Sequence, residues 1–320
     1  MQNVMTAPSS LTPHDLLERR DYITASEVAA VLGISEFKTA YDVWLEKCAE
    51  ALGIVVEPLE PSDAMVWGTL MEQPLLAFTE LKLRQHLTDP ALKVTKLGIR
   101  RKHANLCMSA TLDARIVGRP EAIEAKTFGS LHPNIDWSTW GSEWSDDIPG
   151  PCLAQVCAQL ACAPDLARIW VVLSVARTSP AFYCVERKDH LDLIARIENE
   201  VCAFWDKHVL TNTPPPGGPT METIKRCFKA SQPGRVVVLE DNQVEQSKAL
   251  GTELGNLKKQ KDAIDAAIRA AMLGAERGTT PKGHSVTFSH VNVGAHTIEA
   301  FSYDRMSVRL VTFKSKPGIG

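Results

Sequence analysis

Short strand-like runs between residues 92 and 127, set between helical patterns, most constrain what this chain can fold into. The runs cover residues 94–99, 107–112, 114–117 and 122–126, and Gly118-Arg119-Pro120 marks a tight turn between the last two. Helical spacing of apolar residues dominates the first ninety residues, and a helical pattern at 153–163 precedes apolar runs at 169–175 and 181–186. This order predicts an α/β fold with a central mixed sheet flanked by helices.

A proline- and glycine-rich segment at residues 211–219 divides the chain. Its three consecutive prolines and paired glycines cannot continue a helix or a strand. We therefore predict a core over 1–210, a linker and connecting segment over 211–239, and a C-terminal helix with a small basic β region over 240–320. The helix presents an apolar stripe either to its own domain or to another subunit. The stripe contains Leu250, Leu254, Leu257, Ile264, Ile268 and Ala271, and Lys261 interrupts it.

Charge and cysteine content limit the function classes. The formal net charge is −3 and the pI is about 6.3, so any attraction to nucleic acid must come from local patches. The eight cysteines form no C-x-x-C pair. Three of them follow one another at steps of five residues, at Cys152, Cys157 and Cys162. This spacing spreads the thiols around a helix, which favours packing over metal binding. No apolar stretch approaches the roughly 20 residues of a membrane span. We expect a soluble cytoplasmic protein that uses no membrane.

Two acidic residues and one lysine form the pattern most closely tied to chemistry. If residues 122–126 are a strand, Glu124 and Lys126 point to one face, Ile123 and Ala125 point to the other, and the preceding hairpin brings Asp113 alongside. Carboxylates beside a phosphate suit Mg²⁺, and a lysine whose proton affinity is lowered by metal charge can orient or deprotonate water. The set therefore fits phosphodiester hydrolysis. Taken alone, the same spacing also fits a solvated hairpin edge with a surface ion pair.

Four separated segments together resemble the lambda exonuclease and YqaJ-like viral recombinase family of the PD-(D/E)XK nuclease superfamily, in the order that the family uses. The resemblance spans roughly residues 15–210 and implies a restriction-endonuclease-like core. One departure concerns the usual proline, aspartate, glycine sequence, because here Leu112 precedes Asp113 and Ala114 follows it. The segments are Arg19-Arg20-Asp21-Tyr22-Ile23-Thr24-Ala25-Ser26 with the following Val28-Ala29-Ala30-Val31-Leu32-Gly33, then Trp67-Gly68-Thr69-Leu70-Met71-Glu72, then Asp113 with Glu124 and Lys126, and finally Leu153-Ala154-Gln155-Val156 leading to Gln159-Leu160.

The resemblance implies a role for each residue that matches a family motif. Asp113 and Glu124 would be the metal ligands, with the Ala125 carbonyl as a candidate third ligand, and Lys126 would activate the attacking water. Gln155 would support the lysine and the water from a helix behind the sheet, with Gln159 as a second candidate. Glu72 would complete the metal site through water. Arg19, or Arg20 in its place, and Ser26 would bind the 5′ phosphate. The local basic patch for duplex DNA includes Arg100, Arg101 and Lys102.

The implied activity is a Mg²⁺-dependent 5′-to-3′ exonuclease on linear double-stranded DNA that leaves 3′ single-stranded tails. The resemblance further implies two Mg²⁺ ions in each active site, with Mn²⁺ as a candidate substitute, a homotrimer, and a single-strand annealing protein of the RecT or Bet class as partner. It places such a protein in the cytoplasm of a bacterial host, encoded by a phage or prophage. The alternatives are a PD-(D/E)XK endonuclease of restriction or repair type and a noncatalytic DNA-binding module.

Overall fold

The computed structural model describes residues 19–56, 62–128, 139–175, 179–228, 234, 236–282 and 284–287. The chain divides into two compact units, Met1–Phe228 and Lys229–Gly320. This division lies later than the end of the core that the sequence predicts at residue 210, because the segment after the prolines packs onto the first unit. Cys227 is buried in the core of that unit, and the backbone N–H of Thr220 donates a hydrogen bond of 2.8 Å to Asp42 Oδ1.

The first unit alternates helices and strands in the order that the sequence predicts. The helical pattern at 153–163 corresponds to a helix from Gly150 to Cys162, and short 3₁₀ turns at residues 19–21 and 25–27 precede the first helix. The strands are β1 (Ile23–Thr24), β2 (Val94–Lys102), β3 (Met108–Ile116), β4 (Glu121–Phe128), β5 (Arg168–Val175) and β6 (Ala181–Glu186), and the helices are α1 (Val28–Val31), α2 (Ala40–Cys48), α3 (Asp63–His86), α4 (Gly150–Cys162), α5 (Leu191–Phe204) and α6 (Met221–Cys227).

A mixed sheet forms the centre of this unit, with the strand order β1-β3-β4-β5-β6 and β2 paired with β3. The β1–β3 and β4–β5 pairs are parallel, and the other pairs are antiparallel. Buried apolar side chains from α1, α2, α4 and α5 cover one face, and those from α3 cover the other. The structure thus confirms the predicted α/β class with a central mixed sheet between helices.

The second unit contains the long helix α7 (Asp241–Met272) and a two-stranded hairpin of β7 (Arg277–Thr279) and β8 (Ser285–Thr287). A helix followed by a hairpin is the appendage that the sequence predicts. The further alternating pattern at residues 307–313 lies outside the described residues. None of the helices in the described ranges is long and apolar enough to cross a membrane.

Helix α4 carries the three evenly spaced cysteines. All eight cysteines of the chain are free thiols; Cys157 and Cys162 are buried, whereas Cys152 is half-buried. Burial raises the pKa of the Cys157 thiol and of the Cys162 thiol to about 12, so both stay protonated near neutral pH. The buried pair therefore packs as small apolar side chains in the core.

A buried ion pair fixes the start of the sheet to α2. Lys47 Nζ lies 2.8 Å from Glu27 Oε2, and the backbone N–H of Thr24 donates to the same oxygen at 2.9 Å. Burial by itself raises the pKa of Glu27, but the charges of Lys47 and Lys38 outweigh it and hold that pKa at about 2. For Lys47, burial outweighs the attraction of Glu27 and lowers the pKa. The lysine therefore depends on Glu27 to remain charged inside the protein.

We expect the substitution Glu27→Gln to lower the free energy of unfolding at pH 7 by about 2 to 4 kcal/mol, because it leaves Lys47 buried without a countercharge. The difference from the parent protein should shrink as the pH falls from about 4.5 towards 2, where Glu27 itself takes up a proton. Urea unfolding at several pH values measures both effects. Glu36→Gln, at an exposed position nearby, is the control, and an equal loss in the two variants would contradict the assignment.

Candidate active site

The site lies at an interruption in the pairing of β3. Strand β2 pairs with one edge of β3 along most of its length. On the other edge, β1 pairs only with Met108 and Ser109, and β4 pairs only with Ala114 and Arg115. Residues 110–113 therefore have no strand partner on that edge among the described residues. We call this opening the β3 notch.

Side chains take the place of strand pairing at the β3 notch. Asp113 Oδ2 accepts a hydrogen bond of 2.9 Å from the backbone N–H of Ala125, and the carbonyl of Thr111 accepts one of 3.2 Å from Gln159 Nε2. Asp113 and Glu124 each lie directly beyond the last paired residues of the β3–β4 ladder, Ala114 and Ile123. Both carboxylates therefore come from the point where the two strands separate.

Glu124, Lys126 and Gln155 form a closed hydrogen-bonded triangle on the face of β4 that α4 covers. Lys126 Nζ lies 2.8 Å from Glu124 Oε1 and donates to Gln155 Oε1 at 2.7 Å. Gln155 Nε2 in turn donates to Glu124 Oε1 at 2.7 Å. The alternation along β4 thus places Glu124 and Lys126 on one face, as the sequence predicts.

A second glutamine from α4 binds the same carboxylate. Gln159 is fully buried, and its Nε2 donates to Glu124 Oε2 at 2.6 Å, so both oxygens of Glu124 accept hydrogen bonds. Sequence reasoning favoured Gln155 over Gln159, yet the structure brings both to Glu124. Their spacing of four residues, which places both side chains on one helix face, was the signal for the pair.

The surroundings of Asp113 at the β3 notch disfavour its ionised form. Burial and the negative charges of Glu124 and Glu72 together raise the pKa of Asp113 to about 8, against the opposing effects of the Ala125 N–H and Lys126. A carboxyl group with this pKa is largely protonated at pH 7 in the absence of a cation. A divalent cation would favour the ionised form, because its charge offsets the repulsion between the carboxylates.

The donor atoms at the β3 notch fit a hard cation such as Mg²⁺. Asp113, Glu124 and the carbonyl of Ala125 offer oxygen ligands, which Mg²⁺ prefers. In the parts of the chain that the structure describes, no three His, Cys, Asp or Glu side chains are grouped to hold a metal by themselves. A cation here would therefore take its remaining ligands from water and from substrate phosphate, as Mg²⁺ commonly does.

Lys126 keeps its proton while it is paired with Glu124. Burial lowers the pKa of Lys126, but the charge of Glu124 and the hydrogen bond between the two outweigh burial, so the net pKa is raised. A cation bound by Glu124 would oppose this attraction. The pKa of Lys126 therefore depends on Glu124 and on whether Glu124 binds a cation.

Glu72 reaches the site from the opposite layer of helices. It lies on α3, and its Oε1 is 3.0 Å from Lys96 Nζ of β2. Its charge contributes to the raised pKa of Asp113, which places the two acids within electrostatic reach of each other. The role of Glu72 at the metal site stays a prediction.

The residues predicted to bind the 5′ phosphate lie on either side of β1. Arg19 is in the first 3₁₀ turn, where its carbonyl accepts a hydrogen bond of 2.7 Å from Lys47 Nζ. Ser26 is exposed in the turn before α1, with its Oγ 3.1 Å from Thr24 Oγ1. Since β1 pairs with the same edge of β3 that opens into the notch, these segments border its far end.

The predicted basic patch lies on β2. Arg101 Nη2 is 3.1 Å from Asp165 Oδ2, and Lys102 Nζ lies 4.7 Å from the ring centre of Tyr22. Arg100 pairs across the sheet with Thr111, which lies within the β3 notch. The charge of Arg101 is thus partly neutralised by an acid.

Comparisons with known proteins agree with the resemblance. Residues 16–165 match the family profile described as the YqaJ-like viral recombinase domain. The uncharacterized protein YqaJ of Bacillus subtilis (strain 168) is 24% identical over 272 residues, which covers 82% of this chain and 79% of that protein.

Two solved structures are also similar to this chain. An alkaline exonuclease (LHK-Exo) from Laribacter hongkongensis shows 20% identity and a TM-score of 0.44, covering 63% of this chain and 94% of that one. A phage related exonuclease from Haemophilus somnus 129PT shows 12% identity and a TM-score of 0.40, covering 60% and 96%. Residues 16–165 of this chain are thus similar to the YqaJ-like viral recombinase domain, and the similarity to YqaJ extends over 272 residues.

Proposed function

We propose that this chain is a metal-dependent deoxyribonuclease of PD-(D/E)XK type that digests linear double-stranded DNA from a 5′ end. The observation that carries the proposal is the network at the β3 notch, where Asp113 lies beside Ala125 and where Gln155 joins Glu124 to Lys126. A buried acid, Glu124, and a half-buried one, Asp113, next to a lysine provide a cation site and a proton-holding group for phosphodiester hydrolysis. The family match supports a role in processing DNA for recombination.

Each residue of the network has a distinct task in this proposal. Asp113, Glu124 and the carbonyl of Ala125 would hold Mg²⁺, and the ions would supply charge stabilisation at the scissile phosphate and lower the pKa of a bound water. Lys126 Nζ would orient that water for attack on phosphorus, and would accept its proton once a cation bound by Glu124 had lowered the pKa of the lysine enough for it to lose its own. Gln155 would hold the lysine in place, and Glu72 would bind water near Asp113.

The direction of digestion and its products are part of the same proposal. Digestion from the 5′ end would leave 3′ single-stranded tails, which a single-strand annealing protein of the RecT or Bet class would accept for phage-type recombination. A homotrimer around the DNA and a location in the cytoplasm of a bacterial host belong to this proposal and are supported by the resemblance to the lambda exonuclease group. Mg²⁺ is the proposed ion, with Mn²⁺ as the candidate substitute.

The dependence on a DNA end separates this activity from its alternatives. Linear duplex should be degraded in the presence of Mg²⁺, whereas a closed circular duplex should resist. Cutting of the closed circle would favour an endonuclease of restriction or repair type. Binding of duplex without turnover in Mg²⁺ or Mn²⁺ would favour a noncatalytic DNA-binding module.

A 5′ phosphate on the linear duplex should raise the initial rate about tenfold over a 5′ hydroxyl, because the Arg19 guanidinium and the Ser26 hydroxyl would form charge-assisted hydrogen bonds with the terminal anion. Arg19→Ala should remove most of this preference and leave digestion of the hydroxyl end nearly unchanged. Time courses with the two substrates, with and without Mg²⁺, measure the ratio. Arg196→Ala, at an exposed position on α5, is the control, and equal rates for both ends of the parent protein would remove the phosphate pocket from the proposal.

A further inference from the structure

Helix α7 is largely polar, yet it carries a regular apolar stripe. It runs for 32 residues, and none of them is buried among the residues that the structure describes. The stripe side chains are between 39% and 70% exposed, at Leu250, Leu254, Leu257, Ile264 and Ile268. Helices in proteins gain most of their stability from packing an amphipathic face. The exposed apolar stripe of α7 therefore indicates that the helix packs against a partner.

The spacing of the stripe identifies the kind of partner. Its members follow one another at alternating steps of four and three residues over three heptads, which is the repeat of a coiled coil rather than the broader stripe of a helix packed on a globular core. In heptad terms, the a positions are Leu254, Lys261 and Ile268, and the d positions are Leu250, Leu257, Ile264 and Ala271.

We propose that α7 binds α7 of a second copy of this chain as a parallel two-stranded coiled coil over residues 250–271. Charge complementarity supports this occupant and this direction. Glu253 falls at a g position and Lys258 at the following e position, which are the two positions that face each other between parallel helices. A parallel pair therefore gains two equivalent Glu253–Lys258 ion pairs.

Lys261 limits the number of strands. A lysine at a single a position lowers stability but fixes register and oligomeric state. In a two-stranded coil its long side chain can extend from the seam to water, whereas in a coil of more strands it would be enclosed. Lys261 also binds Asp265 one turn further along its own helix, which holds its charge at the edge of the seam. The interface rests on α7 alone and does not depend on the nuclease activity. In a ring of three subunits the three α7 helices could not all pair within one ring, so the coiled coil would join copies from different rings.

Disulfide formation between copies of the full chain tests the register directly. In a parallel pair the two a positions of one layer face each other at a distance that a disulfide can bridge. The variant Leu254→Cys, oxidised mildly at low protein concentration, should give a disulfide-linked dimer on non-reducing gels in at least about tenfold higher yield than Lys259→Cys, which lies at an outward f position. The parent protein reports the background from its eight native thiols. Equal yields from the two variants would overturn the proposal.

A charge exchange gives a second test that leaves the apolar seam intact. Glu253→Lys alone and Lys258→Glu alone should each lower the cross-linking yield of Leu254→Cys about five- to tenfold, since two attractive pairs become repulsive. Both changes together should restore it. Failure of the double exchange to recover would show that the helices do not meet in the parallel register, as would an unchanged yield in both single variants.

Discussion

Replacing Lys126 with alanine will lower the rate of hydrolysis of linear duplex by about 10³-fold in saturating Mg²⁺, the range expected for loss of a positioned proton-transfer group. The lysine ammonium lies 2.8 Å from Glu124 Oε1, and Gln155 fixes it from α4. Alanine removes the group that would orient the attacking water and, once a cation bound by Glu124 has lowered its proton affinity, accept a proton from it. The two carboxylates remain, so metal binding should persist while turnover is lost.

The control for this variant is a lysine outside the site. Lys188→Ala removes an exposed lysine that pairs with Glu186 on the protein surface, and it should retain the activity of the parent protein. Single-turnover rates separate the chemical step from DNA binding, and thermal melting confirms that the variant folds. A Lys126→Ala protein that hydrolyses linear duplex at the parental rate would remove Lys126 from the mechanism.

Asp113→Asn will abolish Mg²⁺-dependent hydrolysis and will at the same time stabilise the metal-free protein at alkaline pH. The loss of activity, about 10³-fold or more, follows from the loss of an anionic metal ligand. The gain in stability follows from the burial of Asp113 beside Glu124 and Glu72, with Lys126 as the nearby cation. Asparagine can still accept the N–H of Ala125 without adding a negative charge.

The sign of the pH dependence follows from the pKa of Asp113. This pKa is raised from 3.8 to about 8, so between these values the folded protein holds a proton that the unfolded chain has released. The free energy of unfolding should therefore fall as the pH rises through this window, by a few kcal/mol at most, and should level off above pH 8 for this group.

Thermal melting in chelator and in Mg²⁺ provides the measurement. In chelator, the parent protein should melt at progressively lower temperature from about pH 5 to pH 8, and Asp113→Asn should show a flatter profile. Added Mg²⁺ should raise the melting temperature of the parent protein at pH 8, because it binds the folded state, and should do little for the variant. Parallel pH profiles for the two proteins, with equal responses to Mg²⁺, would contradict a cation site at Asp113.

The sequence was sufficient to predict the parts of the site that depend on local periodicity. Alternation along β4 placed Glu124 and Lys126 on one face, and the short hairpin brought Asp113 to the same place. The notch itself was not predictable, because it arises from two strands, β1 and β4, that share one edge of β3 while lying about a hundred residues apart in the chain. The second bond from α4 to Glu124, through Gln159, likewise depends on how the helix packs on the sheet.

Long-range contacts also explain why the limit of the first unit was predicted too early. Proline and glycine reliably mark where regular structure stops, but they do not indicate whether the chain then leaves the domain. Here it returns. Residues beyond the prolines reach α2, where the Thr39 hydroxyl donates to the Gly218 carbonyl at 2.9 Å and Arg226 Nη1 lies 2.8 Å from Glu46 Oε1.

Because the chain returns to α2, Asp42 binds two segments that lie far apart in the sequence. One of its oxygens caps the start of its own helix through the N–H of Thr39, the other accepts the N–H of Thr220, and the side chain is shut off from water. A shortened protein that ends at the prolines would leave Asp42 Oδ1 buried without its hydrogen-bond donor, the N–H of Thr220. We therefore expect the first unit to need the residues after the prolines, through Phe228, for its stability, so that the proline segment lies within this unit and does not mark its end.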